Sequence, residues 1–172
     1  MKHCAALIGM AMLASCGQAK PPVTSMFSRV DDRANLLTPT AEARIAAELA
    51  QLEERTTDQV QVVTVPSLNG RSIEDISLET ARAEGLGVRG KDNGVLLLVA
   101  PKEKQLRIET GRGIAGVLTD AEAAKIIRAV LPDFRAGNSE QGVESTVKAI
   151  DKELSADPQR PALLRKDEPW PG

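Results

Sequence analysis

One uninterrupted apolar segment, Gly94–Ala100, constrains the fold of this chain more than any other feature. It reads Gly-Val-Leu-Leu-Leu-Val-Ala, with no polar residue to mark a face exposed to solvent. A strand of this kind is typical of the middle of a sheet whose two faces are both covered. The segment therefore predicts a central β-strand with helices on both sides of the sheet.

The segments around this strand predict alternating helices and strands. Thr38 and Pro39 suit the start of a helix that reaches about residue 55. Residues 104–110 alternate polar and apolar side chains after a short link, which predicts the hairpin partner of the central strand. The other predicted elements are a strand over 59–65, a short helix from Ser72 that fails at Gly85, a helix from Thr119 that ends at Pro132, and a helix over 139–154. Together they predict an α/β domain over residues 30–155, a three-layer sandwich with a mixed central β-sheet flanked by helices.

The first residues predict export and a lipid anchor. A basic tip is followed by an apolar run that is too short to span a bilayer, which is typical of a signal peptide over residues 1–15. Leu13-Ala-Ser before Cys16 is similar to the signal at which a cysteine is acylated and becomes the first mature residue. The alternative is an ordinary secretory signal with a chance cysteine. Residues 16–29 then form a tether and residues 156–172, with four prolines, a disordered tail.

The composition excludes several classes of function. The only histidine is His3, in the predicted signal peptide, and Cys4 leaves with it, so the mature domain lacks His, Tyr and a free thiol. Catalysis by a Ser–His–Asp or Cys–His arrangement is excluded, and so is a zinc site built on imidazole or thiolate. Acidic side chains outnumber basic ones, 24 to 22 over the whole chain, which gives no electrostatic basis for binding nucleic acid. A bound metal would be a hard cation such as Ca²⁺ or Mg²⁺ on oxygen ligands.

A glycine motif, Gly111-Arg-Gly113-Ile-Ala-Gly116, follows a predicted strand and matches the spacing of dinucleotide-binding loops. Its context does not support that function, because the next helix starts only at Thr119 and no second parallel strand with a ribose-binding acid follows. We expect a tight loop with Arg112 exposed at its tip, and no nucleotide cofactor.

Four polar residues next to predicted element ends are candidate metal ligands: Asp32, Asp92, Asn93 and Asp120. Each has a simpler explanation, since Asp92 and Asn93 suit a turn before Gly94, while Asp32 and Asp120 suit helix N-termini. A metal site requires that they converge in space.

The ordered motifs resemble the TPM domain family. They are Val30–Leu37, Val63–Val65 with Gly70 and Ser72–Glu74, Gly87–Leu98, Arg107-Ile108 with Gly111 and Gly113, Leu118–Ala121, and Pro132–Gly137 with Gly142. The resemblance implies an α/β sandwich on the non-cytoplasmic side of a membrane, as in bacterial envelope proteins and a chloroplast lumen protein linked to photosystem II repair. It also implies an acidic cluster of Asp32, Asp92, Asn93 and Asp120, since some members are weak acid phosphatases or bind Ca²⁺. Ala115 stands where a Glu is frequent in the family, and the usual C-terminal membrane helix is missing, so the lipid on Cys16 is the expected substitute anchor.

Two functions follow as expectations. The first is a lipid-anchored module on the periplasmic face of the bacterial cell envelope, in the outer membrane if the cell is Gram-negative, that binds a divalent cation and an envelope protein partner. The second is a weak metal-assisted acid phosphatase, in which Asp32 and Asp120 hold Mg²⁺ or Ca²⁺ and Arg112 clamps the phosphate.

Overall fold

The computed structural model describes residues 28–156. The predicted signal peptide, Cys16, most of the tether and the tail beyond Ala156 lie outside these residues. In chain order the elements are β1 (Val30–Asp32), α1 (Pro39–Thr56), β2 (Gln59–Thr64), α2 (Ile73–Ala83), β3 (Gly94–Ala100), β4 (Gln105–Thr110), α3 (Asp120–Arg135) and α4 (Ser139–Leu154). The predicted α/β class is confirmed.

The four strands form one sheet in the order β1-β2-β3-β4. Strands β1, β2 and β3 are parallel, and β4 is antiparallel to β3 as its hairpin partner. Every residue of Gly94–Ala100 is buried, as predicted for a central strand with both faces covered.

The two sides of the sheet are covered unequally. Helices α1, α3 and α4 share one core with Val62, Val95 and Leu97. Among the helices of residues 28–156, α2 is the one on the other face, where Val63, Leu96 and Leu98 pack against Ile73 and its neighbours. The result is the predicted three-layer sandwich with a mixed sheet.

The crossovers carried by α1 and α2 have opposite hands. Both connect a strand to its parallel neighbour in the same direction across the sheet, from β1 to β2 and from β2 to β3. The helices nevertheless lie on opposite faces. One of the two must therefore be left-handed, an arrangement found in only about 2% of such connections.

Two details differ from the sequence analysis. Strand β1 was not predicted, because it has three residues and two of them are aspartates. Helix α3 was predicted to end at Pro132 but continues to Arg135. Proline removes one backbone donor, yet the last turn still closes, since the Ala136 amide donates to the Pro132 carbonyl at 3.0 Å. The Phe134 ring also packs closely on Gly142 of α4, which holds this turn in place.

Among residues 28–156, no helix is both long enough and apolar enough to cross a bilayer.

Candidate functional site

Two loops meet where β3 begins. This place lies at one of the two edges of the sheet that are formed by the ends of the strands, as distinct from the outer strands β1 and β4. The first loop connects α2 to β3, and the second connects β4 to α3. Because β4 is antiparallel to β3, its end lies beside the start of β3, and the Gly111 amide donates to the Gly94 carbonyl at 2.8 Å. The Gly113 amide likewise donates to the Asp92 carbonyl at 3.1 Å. The glycine motif therefore joins two loops of the protein rather than cradling a phosphate.

These loops approach too closely for side chains. A Cβ atom on Gly111 would overlap the carbonyl oxygen of Asp92, and one on Gly113 would overlap that of Lys91. Glycine at both positions lets one backbone lie directly on the other. This contact fixes Asp92 relative to Arg112.

An open cleft of about 580 Å³ lies beside these loops, against α2. Asp92 and Arg112 stand at its mouth, with 3.3 Å between an Asp92 Oδ2 and an Arg112 guanidinium nitrogen. The Arg112 side chain is 94% exposed and that of Asp92 52%, so solvent screens their attraction strongly. Arg112 is exposed at the tip of the loop, as predicted.

Asn93 is fully buried and its side chain joins three segments. Its Oδ1 accepts a hydrogen bond from the Val88 amide at 2.9 Å. Its Nδ2 donates to the Thr57 carbonyl at 2.8 Å and to Asp58 Oδ1 at 3.2 Å. These contacts give Asn93 a structural role between the turn after α1 and the loop before β3.

Asp32 lies at the other edge of the sheet, where β1 ends opposite Thr64. Its carboxylate accepts hydrogen bonds from the amides of Leu36 at 3.0 Å and Leu37 at 2.8 Å, and from the Thr64 hydroxyl. Both of its oxygens are therefore occupied by the loop that leads into α1.

Asp120 is exposed at the first residue of α3. The far end of that helix lies beside the β3–β4 hairpin, where Phe134 and Arg135 line a cavity with Lys104. The start of α3 consequently lies at the edge that carries Asp92, away from Asp32.

The four candidate ligands therefore do not meet at one point. Asp92 and Asp120 share an edge, Asn93 is buried below it, and Asp32 is on the opposite edge. Within residues 28–156, no group of three or more His, Cys, Asp or Glu side chains could hold a metal ion. The residues present do not fit a resident Ca²⁺ or Mg²⁺, which takes several oxygen ligands.

A small polar network in the floor of the cleft was not predicted from the sequence. Glu109 Oε2 accepts hydrogen bonds from the Ser77 hydroxyl at 3.1 Å and from Arg107 Nε at 2.9 Å. The alternation in residues 104–110 places Arg107 and Glu109 on one face, which was a signal for it. Its partner Ser77 becomes recognisable only when α2 is placed on that face.

A model of the TPM domain matches residues 30–153. This chain belongs to the TPM domain family. The predicted resemblance is confirmed, and the cleft with Asp92 and Arg112 is a feature of this TPM domain.

Solved structures are similar to it in fold. The N-terminal domain of a P. gingivalis protein is 33% identical, with a TM-score of 0.70 over 75% of this chain and 83% of that one. An N-terminal domain from Corynebacterium glutamicum is 18% identical, with a TM-score of 0.60 over 86% of this chain and 90% of that one. A protein from the psychrophilic bacterium Bizionia argentinensis is 22% identical, with a TM-score of 0.61 over 70% and 82%. Among functionally curated proteins, no match was found.

Proposed function

We propose that this TPM domain is a non-enzymatic interaction module of the bacterial cell envelope, held at the membrane by a lipid on Cys16. The observation that carries the proposal is the cleft beside α2. It presents the Arg112 guanidinium and the Asp92 carboxylate to solvent at its mouth, and its rim includes the one large hydrophobic side chain exposed in residues 28–156, Leu78. Arginine is enriched in protein–protein interfaces, so an exposed arginine at the mouth of a cleft suits recognition of a protein surface.

The chemistry of the cleft supports binding rather than catalysis. The whole chain after the predicted signal peptide contains no histidine, cysteine other than Cys16, or tyrosine. Glu109, the acid in the floor, is held by Ser77 and Arg107. We propose no resident Ca²⁺ or Mg²⁺, because the candidate ligands do not converge.

Lipid anchoring is tested by mass spectrometry of the peptide that begins at Cys16. Acylation and cleavage before Cys16 are expected, and Cys16→Ser should move the protein from the membrane fraction to the soluble one. Retention of Cys16→Ser in the membrane fraction would contradict the anchor.

Partner binding at the cleft is tested in cells by placing a photo-crosslinking residue at Leu78, with the same residue at Ala47 on α1 as the control position. One reproducible crosslinked partner is expected from position 78 and none from position 47. Arg112→Glu should abolish this crosslink, whereas Arg128→Glu, an exposed charge reversal outside the cleft, should leave it unchanged. A crosslink from position 78 that Arg112→Glu does not weaken would contradict recognition by the cleft.

The Asp92–Arg112 pair favours one second candidate, a phosphomonoesterase. The mechanism predicted from sequence needs revision, since Asp32 is at the opposite edge from Arg112 and cannot act with it. In the revised form Arg112 binds the phosphate, and Asp92, 3.3 Å from Arg112, either attacks the phosphorus or positions the water that does. The phosphorus–oxygen bond to the alcohol breaks as the new bond forms, and the alcohol leaves with a proton from solvent. If Asp92 is the nucleophile, water then hydrolyses the aspartyl phosphate and releases inorganic phosphate. Turnover of p-nitrophenyl phosphate that persists through repurification, disappears in Arg112→Ala and remains in Arg128→Ala would establish it.

A further inference from the structure

A second cavity, of about 470 Å³, lies at the other edge of the sheet, between the β3–β4 hairpin and the end of α3. Its apolar lining includes Leu106 from β4 and Leu131 and Phe134 from α3. None of the candidate residues from the sequence analysis lies in it. Its volume is in the range of ligand-binding pockets, and its lining offers an apolar floor on which a large apolar side chain can pack.

Two cations line this cavity, and no acid does. They are Lys104, at the end of the hairpin turn, and Arg135, in the last turn of α3, and both are exposed. Neither forms an ion pair in the part of the chain that the structure describes. The neighbouring acid, Glu103, is directed elsewhere, since its Oε1 accepts hydrogen bonds from Ser67 and the Leu68 amide. The cavity therefore combines an apolar floor with uncompensated positive charge at its rim.

The ends of two helices lie at this cavity. The end of α3 contributes Leu131, Phe134 and Arg135, and Ser139 is the first residue of α4. The negative end of the α3 dipole and the positive end of the α4 dipole offset each other, so the positive charge of the cavity comes from Lys104 and Arg135.

The side of β4 that faces away from β3 passes the mouth of the cavity. Hydrogen-bonded positions alternate along an antiparallel pair, and the Gly111 amide donates to Gly94. By this alternation the amide and carbonyl of Leu106 point away from β3. Strand β4 is an outer strand of the sheet and pairs with β3 alone among the described strands. An extended peptide could thus pair with the backbone of Leu106 while its last side chain enters the cavity.

We propose that this cavity binds the C-terminus of a partner polypeptide that ends in a large apolar residue. The apolar floor takes the last side chain, Lys104 and Arg135 hold the terminal carboxylate, and Leu106 pairs with the peptide backbone. The strand edge favours a peptide over a free fatty acid, because a fatty acid has no amide groups to pair with it. This site is at the opposite edge from the Asp92–Arg112 cleft, so either proposal can fail while the other holds.

The test uses residues 16–172 with Cys16→Ser, so that no lipid competes for the cavity. A short fluorescent peptide ending in Leu with a free carboxylate is titrated by fluorescence polarisation, beside the same peptide with an amidated end. Saturable binding of the free acid is expected, with roughly tenfold weaker binding of the amide. Equal affinity for the two peptides, or no saturable binding of the free acid, would overturn the proposal.

Variants assign the binding to the cavity. Lys104→Glu with Arg135→Glu should abolish it, while Lys102→Glu should not, since Lys102 is an exposed lysine of the same turn that does not line the cavity. Thermal unfolding of each variant shows whether it is folded, and loss of binding in Lys102→Glu as well would count against the site.

Two further experiments distinguish a partner polypeptide from other occupants of the cavity. Octanoate displacing the peptide at lower concentration than the unlabelled peptide would identify a fatty-acid site and overturn the assignment to a polypeptide. Peptide binding that appears only when the chain is cut after residue 156 would show that its own C-terminal segment fills the cavity, which would overturn the assignment to a partner.

Discussion

The Asp32 carboxylate accepts a hydrogen bond from the Thr64 hydroxyl where the parallel strands β1 and β2 end side by side. Thr64 in turn accepts from the Ala34 amide at 2.9 Å, and Asp32 also holds the amides of Leu36 and Leu37. The loop that leads to α1 is thus built around one carboxylate. An acid that its sequence context offers as a metal ligand is, in the structure, the acceptor around which this loop is arranged.

Asp32→Ala should destabilise the fold by roughly 2 to 4 kcal/mol, because it leaves two amides and a hydroxyl without their charged acceptor. The measurement is the free energy of unfolding in urea at neutral pH. Asp31→Ala is the matched control, since Asp31 pairs with the half-exposed Arg33 on the surface and should cost less than about 1 kcal/mol. Equal losses in the two variants would mean that the Asp32 hydrogen bonds contribute little.

Gly113→Ala should destabilise the protein by about 2 kcal/mol or more, because its Cβ would overlap the Lys91 carbonyl oxygen and force the two loops apart. Gly116→Ala, in the same loop, should change the stability by less than about 1 kcal/mol, since a Cβ there meets nothing within 4 Å. Thermal unfolding of both variants compares them directly. A Gly116→Ala variant as unstable as Gly113→Ala would show that loop flexibility, rather than the close backbone contact, requires these glycines.

Much of the fold could be predicted because its signals are local. The apolar run of β3, the alternation of β4 and the cap of α3 each follow from a few neighbouring residues, and their bounds agree closely with the structure. The site was harder to predict, because its geometry depends on which edge of the sheet a residue occupies. Asp32 is the last residue of one parallel strand while Asp92 precedes another, so the two aspartates lie at opposite edges of the sheet.

Other features have no local signal at all. The strand β1 is a strand only because β2 offers it a partner, and nothing in α1 or α2 shows that they cover opposite faces. The opposite hands of the two crossovers run against the usual preference, so a prediction by rule would place both helices on one face. The continuation of α3 past Pro132 likewise depends on packing between Phe134 and α4.

The capping box of α3 should make the stability of the domain depend on pH in the acid range. The Thr119 amide donates to Glu122 at 2.8 Å and its hydroxyl at 2.9 Å, and these hydrogen bonds hold the pKa of Glu122 below its usual range. The unfolded chain therefore takes up this proton first, at a pH near about 4.3. The stabilisation is fully present above that pH and is lost as the pH falls through the lower pKa of the folded state.

Glu122→Gln keeps an acceptor but removes the titration, so its unfolding free energy should fall less steeply with pH below about 4.3 than that of the parent protein. Thr119→Ala removes the hydroxyl contact, and a carboxylate NMR titration should then show the pKa of Glu122 closer to its usual value. If the pKa of Glu122 is the same in the parent and in Thr119→Ala, the hydroxyl does not contribute to the lowered value.

Calorimetric titration of Ca²⁺ and Mg²⁺ should give no saturable heat at about 1 mM cation, because a hard cation needs several oxygen ligands and those predicted from sequence are divided between two edges. Asp92→Ala, which removes one of the two exposed candidate carboxylates, should behave like the parent protein. Asp120→Ala is the matched variant for the other exposed acid at that edge. Saturable binding in the parent that disappears in both variants would place a cation between Asp92 and Asp120, beside Arg112, and would make the phosphomonoesterase the stronger candidate for this cleft.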